Sequence, residues 1–347
     1  MDIQNYFKIA IEKGSADLHL VGGSKPAVRI DEQLIRIEEE VLDHKKLEEA
    51  VFGLITEKQK NRFIEDKDYD FAYEVFANRF RINIHMQEGR IGMTARLIPN
   101  EIPSPDQLNF TETLYNLTHL KDGFVLVVGP SGSGKSSTLA AMINIINKER
   151  KAHIITIEDP IEFLFKEQQS VIEQRELGID TKSFSGALRS TLRQDPNVIM
   201  VGEMRDPDTV SAAITAAETG HLVLSTLHTS NAPETIQRIV DLYPSDKKQQ
   251  VLNQLASNLR AVVSQELLPA IEGGRIVARE ILINNNAVAN LIRQNHLEQI
   301  ISTIQTNAST GMITMNQAID SLLAEGKIDA KVADNRKRDL ETKSVYY

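Results

Sequence analysis

The sequence predicts an α/β protein: a mostly parallel sheet with helices on both faces, a smaller α+β domain before it and helices after it. Three observations carry this. Apolar strands alternate with one-faced helices from Phe124 onward. Three prolines interrupt the dozen residues "IPNEIPSPDQLN" at 98–109. The first hundred residues hold short alternating runs separated by turn residues.

The N-terminal domain is expected over 1–97. "DIQNYFKIAIEKG" spaces Ile3, Phe7 and Ile11 along one helical face and stops at Gly14. "DLHLV", "AVRI" and "LIRI" read as short strands. "FRINIHM" puts Phe80, Ile82, Ile84 and Met86 on one face and Arg81, Asn83 and His85 on the other. After a turn at "QEGR", "IGMTARL" turns Ile91, Met93, Ala95 and Leu97 inward and Thr94 and Arg96 outward, so both arginines share the polar face of a hairpin. The prolines make 98–112 an extended linker, since each removes a donor and biases its predecessor away from helix.

The second domain is expected over 113–347. Its strands are "FVLVV", "HIITI", "VIMV" and "HLVLST". Three helices between them are lined by Leu139, Ile143 and Ile146, by Phe184, Leu188 and Leu192, and by Val210, Ile214 and Ala217, the last closed by Gly220. Beyond about residue 245 the tail reads as helical, with "VLNQLASNLRAVV" and "AVANLIRQNHLEQI" as amphipathic segments and a frayed end at "ETKSVYY".

Composition bounds the class. Of 347 residues, 41% are hydrophobic and 25% charged, as in ordinary soluble proteins. No run reaches the roughly 18 apolar residues of a membrane span, and the N-terminus has no signal-peptide pattern. The absence of cysteine excludes disulfides, thiolate metal sites and cysteine nucleophiles. A net charge of −9 gives no bulk attraction to nucleic acid.

"GPSGSGKSS" at 129–137 matches the phosphate-binding P-loop in full: Gly129, four residues, then Gly134, Lys135 and Ser136. A strand precedes it and a helix follows, as the mechanism requires. Gly129, Pro130, Ser131, Gly132, Ser133, Gly134 and Ser137 wrap backbone N–H groups around phosphate oxygens, with the helix N-terminus behind them. Lys135 would reach the β- and γ-phosphates and the Ser136 hydroxyl would ligate Mg²⁺. A carboxylate must complete the site. In "VIMVGEMRD" the apolar strand runs into Gly202 and Glu203 where many such strands end in aspartate. "ITIEDPIEF" places Glu158, Asp159 and Glu162 past another strand; on spacing alone, three acids in five residues fit a solvated turn better than a catalytic cluster. In "HLVLSTLHT" a strand ends at His228, where an imidazole could sense phosphate.

Together these segments resemble the secretion ATPase superfamily that powers type II secretion and type IV pili. The motifs are the P-loop, the acidic box "EDPIE" at 158–162, the atypical "VGEMRD" at 201–206 and the histidine box "TGHLVLSTLHT" at 219–229, with "GSADLHL" near the start. The resemblance implies a RecA-like core, a PAS-like N-terminal domain and a hexameric ring. It implies Glu162 as general base and Glu203 at the metal through water. It also implies that His221 and His228 report the γ-phosphate state, and that Arg81 and Arg96 approach the phosphates; the plainer reading of these two is solvated strand arginines. Arg189 and Arg193 fit packing or an interface equally well.

A short chain without a tetracysteine zinc module resembles the branch that retracts pili. The nearest match to that branch's C-terminal helix motif is "AVANLIRQ", departing at Ala289 and Gln294. The expectation is a cytoplasmic Mg-ATP-hydrolysing motor, peripheral at the inner membrane, that powers pilus retraction and twitching motility through a platform protein there. Alternatives are an assembly, competence or type II secretion ATPase, a nucleic-acid translocase, or a non-catalytic nucleotide-binding ring component. No nucleic-acid partner is expected, because no basic and aromatic strand-binding stretch is evident.

Overall fold

The computed structural model describes residues 2–30, 33–37, 40–98 and 101–337. The expected fraying at 341–347 lies outside the described residues. The chain divides into two compact units, Met1–Glu101 with Pro160–Leu164, and Ile102–Asp159 with Phe165–Tyr347.

The first unit is an antiparallel sheet with helices against one face. Its strands are β1 (Asp17–Val21), β2 (Ala27–Ile30), β3 (Gln33–Arg36), β4 (Asp68–Val75), β5 (Asn78–Gln87) and β6 (Arg90–Ile98), in the order β3-β2-β1-β6-β5-β4. Alternation in β5 buries Phe80, Ile82 and Ile84 completely. Met86, expected to continue that face, is exposed, because β5 runs on past the core into its turn. The helix Ile3–Glu12 lays Phe7 on the sheet, its ring 4.9 Å from that of Phe80. Burying such a side chain stabilises by about 1.5–3 kcal/mol.

Glu88 and Gly89 both take positive φ between the paired Gln87 and Arg90, so β5 and β6 are joined by a two-residue turn. This turn type matches the twist of the strands and fixes the hairpin register. Arg81 therefore stands opposite Arg96, and Arg96 stands opposite Asp17 on its other side.

The second unit is a seven-stranded sheet of β7 (Gly123–Val128), β8 (His153–Glu158), β9 (Val171–Glu176), β10 (Val198–Val201), β11 (Leu222–Leu227), β12 (Leu259–Pro269) and β13 (Arg275–Ile283). The order is β13-β12-β7-β11-β10-β8-β9, parallel throughout except for β13. Alternate residues of β7 feed two cores. Phe124, Leu126 and Val128 meet the helices Pro207–Glu218, Ala232–Asp241 and Ser245–Asn258, while Val125 and Val127 meet Leu139, Met142 and Ile143 of the helix Lys135–Glu149.

The tail is not all helical, which corrects the expectation from sequence. "VLNQLASNLRAVV" changes period at Leu259, where helix gives way to β12. Leu259, Ala261, Val262, Val263, Ser264 and Gln265 are all buried. A strand covered on both faces shows no alternation and cannot be told from buried helix by pattern. The edge strand β9 is polar and largely half-exposed, so it left no apolar signal either.

Candidate active site

The P-loop follows β7 at the carboxyl edge of the parallel strands, where open α/β sheets hold ligands. Gly129, Gly132 and Gly134 have φ of 150°, 75° and 84°. Gly129 is also sterically required: a Cβ there would lie 2.3 Å from the Gln265 carbonyl oxygen. Gly134 precedes the helix Lys135–Glu149 without a side-chain cap, so the first-turn N–H groups are left to the loop. Pro130, Ser131 and Gly132 form the exposed rim, and Ser136 and Ser137 are half-buried in the first turn. Lys135 is 8% exposed, and its Nζ donates to the carbonyls of Gly129 at 2.9 Å and Pro130 at 3.0 Å. The ammonium is thereby held inside the loop.

Glu203 sits just past β10, its carboxylate mostly buried. Hydroxyls from the neighbouring strand fix this end: Ser225 Oγ donates to the Val201 carbonyl at 2.8 Å and Thr226 Oγ1 to that of Gly202 at 2.6 Å. Arg205 Nη2 lies 2.6 Å from Glu203 Oε1, and His228 Nε2 lies 3.6 Å from Oε2. Burial lowers the His228 pKa from its ordinary 6.5, and the positive charges of Lys135 and Arg205 add to this while Glu203 opposes it. The fold thus brings Lys135, Glu203 and His228 into one electrostatic neighbourhood. Sequence reasoning passed over Arg205, although it lies two residues from Glu203.

His221 is elsewhere. It precedes Leu222, which pairs with Gly123 at the far end of β7. Six residues at about 3.3 Å each put it about 20 Å from the P-loop end of the sheet. Its Nδ1 lies 2.9 Å from the Ala216 carbonyl and 3.1 Å from Thr219 Oγ1, closing the preceding helix. Within this chain it does not meet the phosphate loop.

The acidic box divides. Glu158 is buried at the end of β8 and accepts from Thr156 Oγ1 at 2.7 Å and Gln174 Nε2 at 3.2 Å, bracing β8 against β9. Glu162 belongs to Pro160–Leu164, the segment grouped with the first unit. There its charge helps to raise the Arg96 pKa, after the larger effect of the hydrogen bond to Asp17.

Arg96 Nε and Nη2 reach the two Asp17 oxygens at 2.7 and 3.4 Å, and Arg81 Nε lies 3.7 Å from Asp70 Oδ1. Asp17 is 6% exposed and is also approached by Arg29 at 3.9 Å. Asp17, Asp70, Arg81 and Arg96 line a cavity of about 160 Å³ with Asn83 and Thr94. Both arginines are thus paired with aspartates while remaining partly or largely exposed.

Sequence reasoning missed Gln265, Thr138 and Arg279, which stand behind the P-loop. Gln265 is 1% exposed, donates from Nε2 to the Ser133 carbonyl at 2.7 Å, and accepts from Thr138 Oγ1 at 3.0 Å. No local motif marks it, because 132 residues separate Gln265 from Ser133.

Comparison with known proteins shows the family and the fold. Residues 104–329 match the family "Type II/IV secretion system protein". The chain is 42% identical over 334 residues to the type IV pilus retraction ATPase PilT of Pseudomonas aeruginosa, covering 96% of this chain and 97% of that protein. It is 43% identical over 321 residues to a twitching motility protein of Neisseria gonorrhoeae, covering 92% and 86%. The crystal structure of the pilus retraction motor PilT with bound ADP superimposes with a TM-score of 0.91 at 44% identity, covering 98% of each chain.

Proposed function

The chain belongs to the type II/IV secretion system protein family, and from that premise we propose that it is a Mg-ATP-hydrolysing motor that powers type IV pilus retraction. The observation that carries the reading is the convergence of Lys135, Glu203 and His228 at the edge of the sheet where the P-loop begins, in a chain that matches a retraction ATPase along almost its whole length.

The reaction is attack of water on the γ-phosphorus, and the protein's part is positioning and charge stabilisation. Backbone N–H groups of the loop hold the phosphates, and Lys135 exchanges its carbonyl partners for the β- and γ-oxygens. The Ser133 hydroxyl, buried with no partner among the described residues, is a further donor for a phosphate oxygen. The hydroxyl of Ser136 with a carboxylate acting through water, Glu203, is a hard-oxygen set suited to magnesium, which when bound neutralises charge on the transferring phosphate. Glu162 takes the proton of the attacking water. Arg81 and Arg96 contribute positive charge to the transferring phosphate from the N-terminal domain of a neighbouring subunit, which makes the working unit a ring; hexameric closure fits this head-to-tail arrangement. His228, its pKa lowered by burial and 3.6 Å from Glu203, relays the γ-phosphate state to the end of β11.

Domain movement driven by this cycle would act on a platform protein in the inner membrane, with the motor at its cytoplasmic face. No helix among the described residues is long and apolar enough to cross a membrane itself. The experiment is a count of surface pili on cells whose only copy carries Glu162→Gln. Accumulated pili that do not retract are expected; loss of pili would overturn the retraction reading in favour of assembly.

A further inference from the structure

The P-loop is shaped from β12, the strand that the sequence pattern hides. Ser264 of β12 pairs with Val128, so Gln265 stands level with Gly129 as the loop begins. Its backbone carbonyl closes the space beside Gly129 and its side chain grips Ser133, so one residue lines one end of the turn and holds the other.

The direction of each hydrogen bond in this group is fixed by chemistry. Arg279, opposite Gln265 on β13, can only donate. Its Nη2 donates to Thr138 Oγ1 at 3.4 Å, and its Nη1 donates to the carbonyls of Leu108 and Asn109 at 2.8 and 3.0 Å. The Thr138 hydroxyl, accepting from Arg279, donates to Gln265 Oε1. That leaves Nε2 for the Ser133 carbonyl. All three side chains are at most 6% exposed, so water does not compete. The guanidinium has no carboxylate partner among the described residues, and burial lowers its pKa to about 10, which still leaves it charged at neutral pH.

The consequence lies in the peptide plane. The Ser133 C=O and the Gly134 N–H belong to one trans peptide and point in opposite directions. Drawing the carbonyl back toward Gln265 turns the Gly134 N–H away from Gln265, free to serve the phosphate that the nucleotide reading places in the loop. We infer that Gln265 is a positioning residue for nucleotide binding, orienting the Gly134 N–H through the relay from Arg279 and Thr138. The inference rests on the nucleotide reading above. The phosphates shared by ADP and ATP are the ones affected, so both nucleotides lose affinity together while the turnover of bound ATP changes little.

The test is titration of the full chain with Mg-ADP and a non-hydrolysable Mg-ATP analogue, beside its melting temperature and steady-state hydrolysis. Gln265→Met keeps the volume, is neutral, and removes both hydrogen bonds; Kd for both nucleotides is expected to rise about tenfold, with kcat within about twofold. Gln265→Glu keeps the acceptor for Thr138 and adds a carboxylate near Arg279, but cannot donate to Ser133. Its melting temperature is expected to hold or rise while affinity falls, a split that a purely structural role would not produce. If Gln265→Met does not fold, Thr138→Val breaks the relay one step earlier and is expected to raise Kd in the same direction. Wild-type affinity in Gln265→Met, or in Thr138→Val where that replaces it, overturns the inference alone. Failure of the wild-type chain to bind either nucleotide overturns the nucleotide reading with it.

Discussion

His228 Nε2 and Glu203 Oε2 lie 3.6 Å apart, joining the ends of two adjacent parallel strands, while Arg205 holds the other oxygen of the same carboxylate. Burial and the nearby Lys135 lower the imidazole pKa, while the carboxylate opposes them. Titration of the ring reports on the carboxylate.

In an NMR titration the His228 pKa is expected below 6.5, and Glu203→Gln should lower it further, because the carboxylate is the group that raises it. A value at or above 6.5 would contradict the arrangement. Folding lowers this pKa, so the unfolded chain binds more protons between the lowered value and 6.5. The stability concerned is fully present above pH 6.5 and is lost as pH falls through the lowered value.

Gly129→Ala and Gly132→Ala separate steric need from backbone strain. Both have positive φ, but only at Gly129 would the new Cβ meet a backbone atom, the Gln265 carbonyl oxygen. Gly132→Ala is expected to cost about 1 kcal/mol in urea unfolding. Gly129→Ala should cost about 1–3 kcal/mol more and abolish nucleotide binding, since a displaced β12 cannot hold the loop. Equal effects would show that the contact does not matter.

For the arginines, Arg96→Gln is expected to lower kcat with little change in KM, the signature of a group used in the transition state. Asp17→Asn removes the carboxylate that holds it. Because Asp17 is buried and faces both Arg96 and Arg29, the stability cost should exceed the about 1 kcal/mol of an exposed pair. A larger fall in KM-normalised activity than in stability would identify Asp17 as the residue that aims the guanidinium.

His221→Ala should leave the affinity for Mg-ADP unchanged, as it lies at the opposite end of β11 from the P-loop. Weakened binding in the isolated chain would show that the two ends of that strand communicate.

The sequence by itself determined the elements whose signals are local. The P-loop needs its glycines and lysine within nine residues of one another, and β7, β8, β10 and β11 are apolar runs bounded by turns. The hairpin register was also legible, because a two-residue turn and period-two alternation leave one solution that buries Phe80 and Ile82. Tertiary structure decided what depends on long-range contact. Strands β12 and β13 are buried on both faces and carry no period, so pairing with β7 selects strand over helix. The separation of Glu158 into the sheet, the capture of Arg96 by Asp17, and the grip of Gln265 on Ser133 join residues 16, 79 and 132 positions apart. The physical reason is that a polar side chain acquires its role from what desolvates it and what answers its hydrogen bonds. Those neighbours are chosen when the sheet assembles.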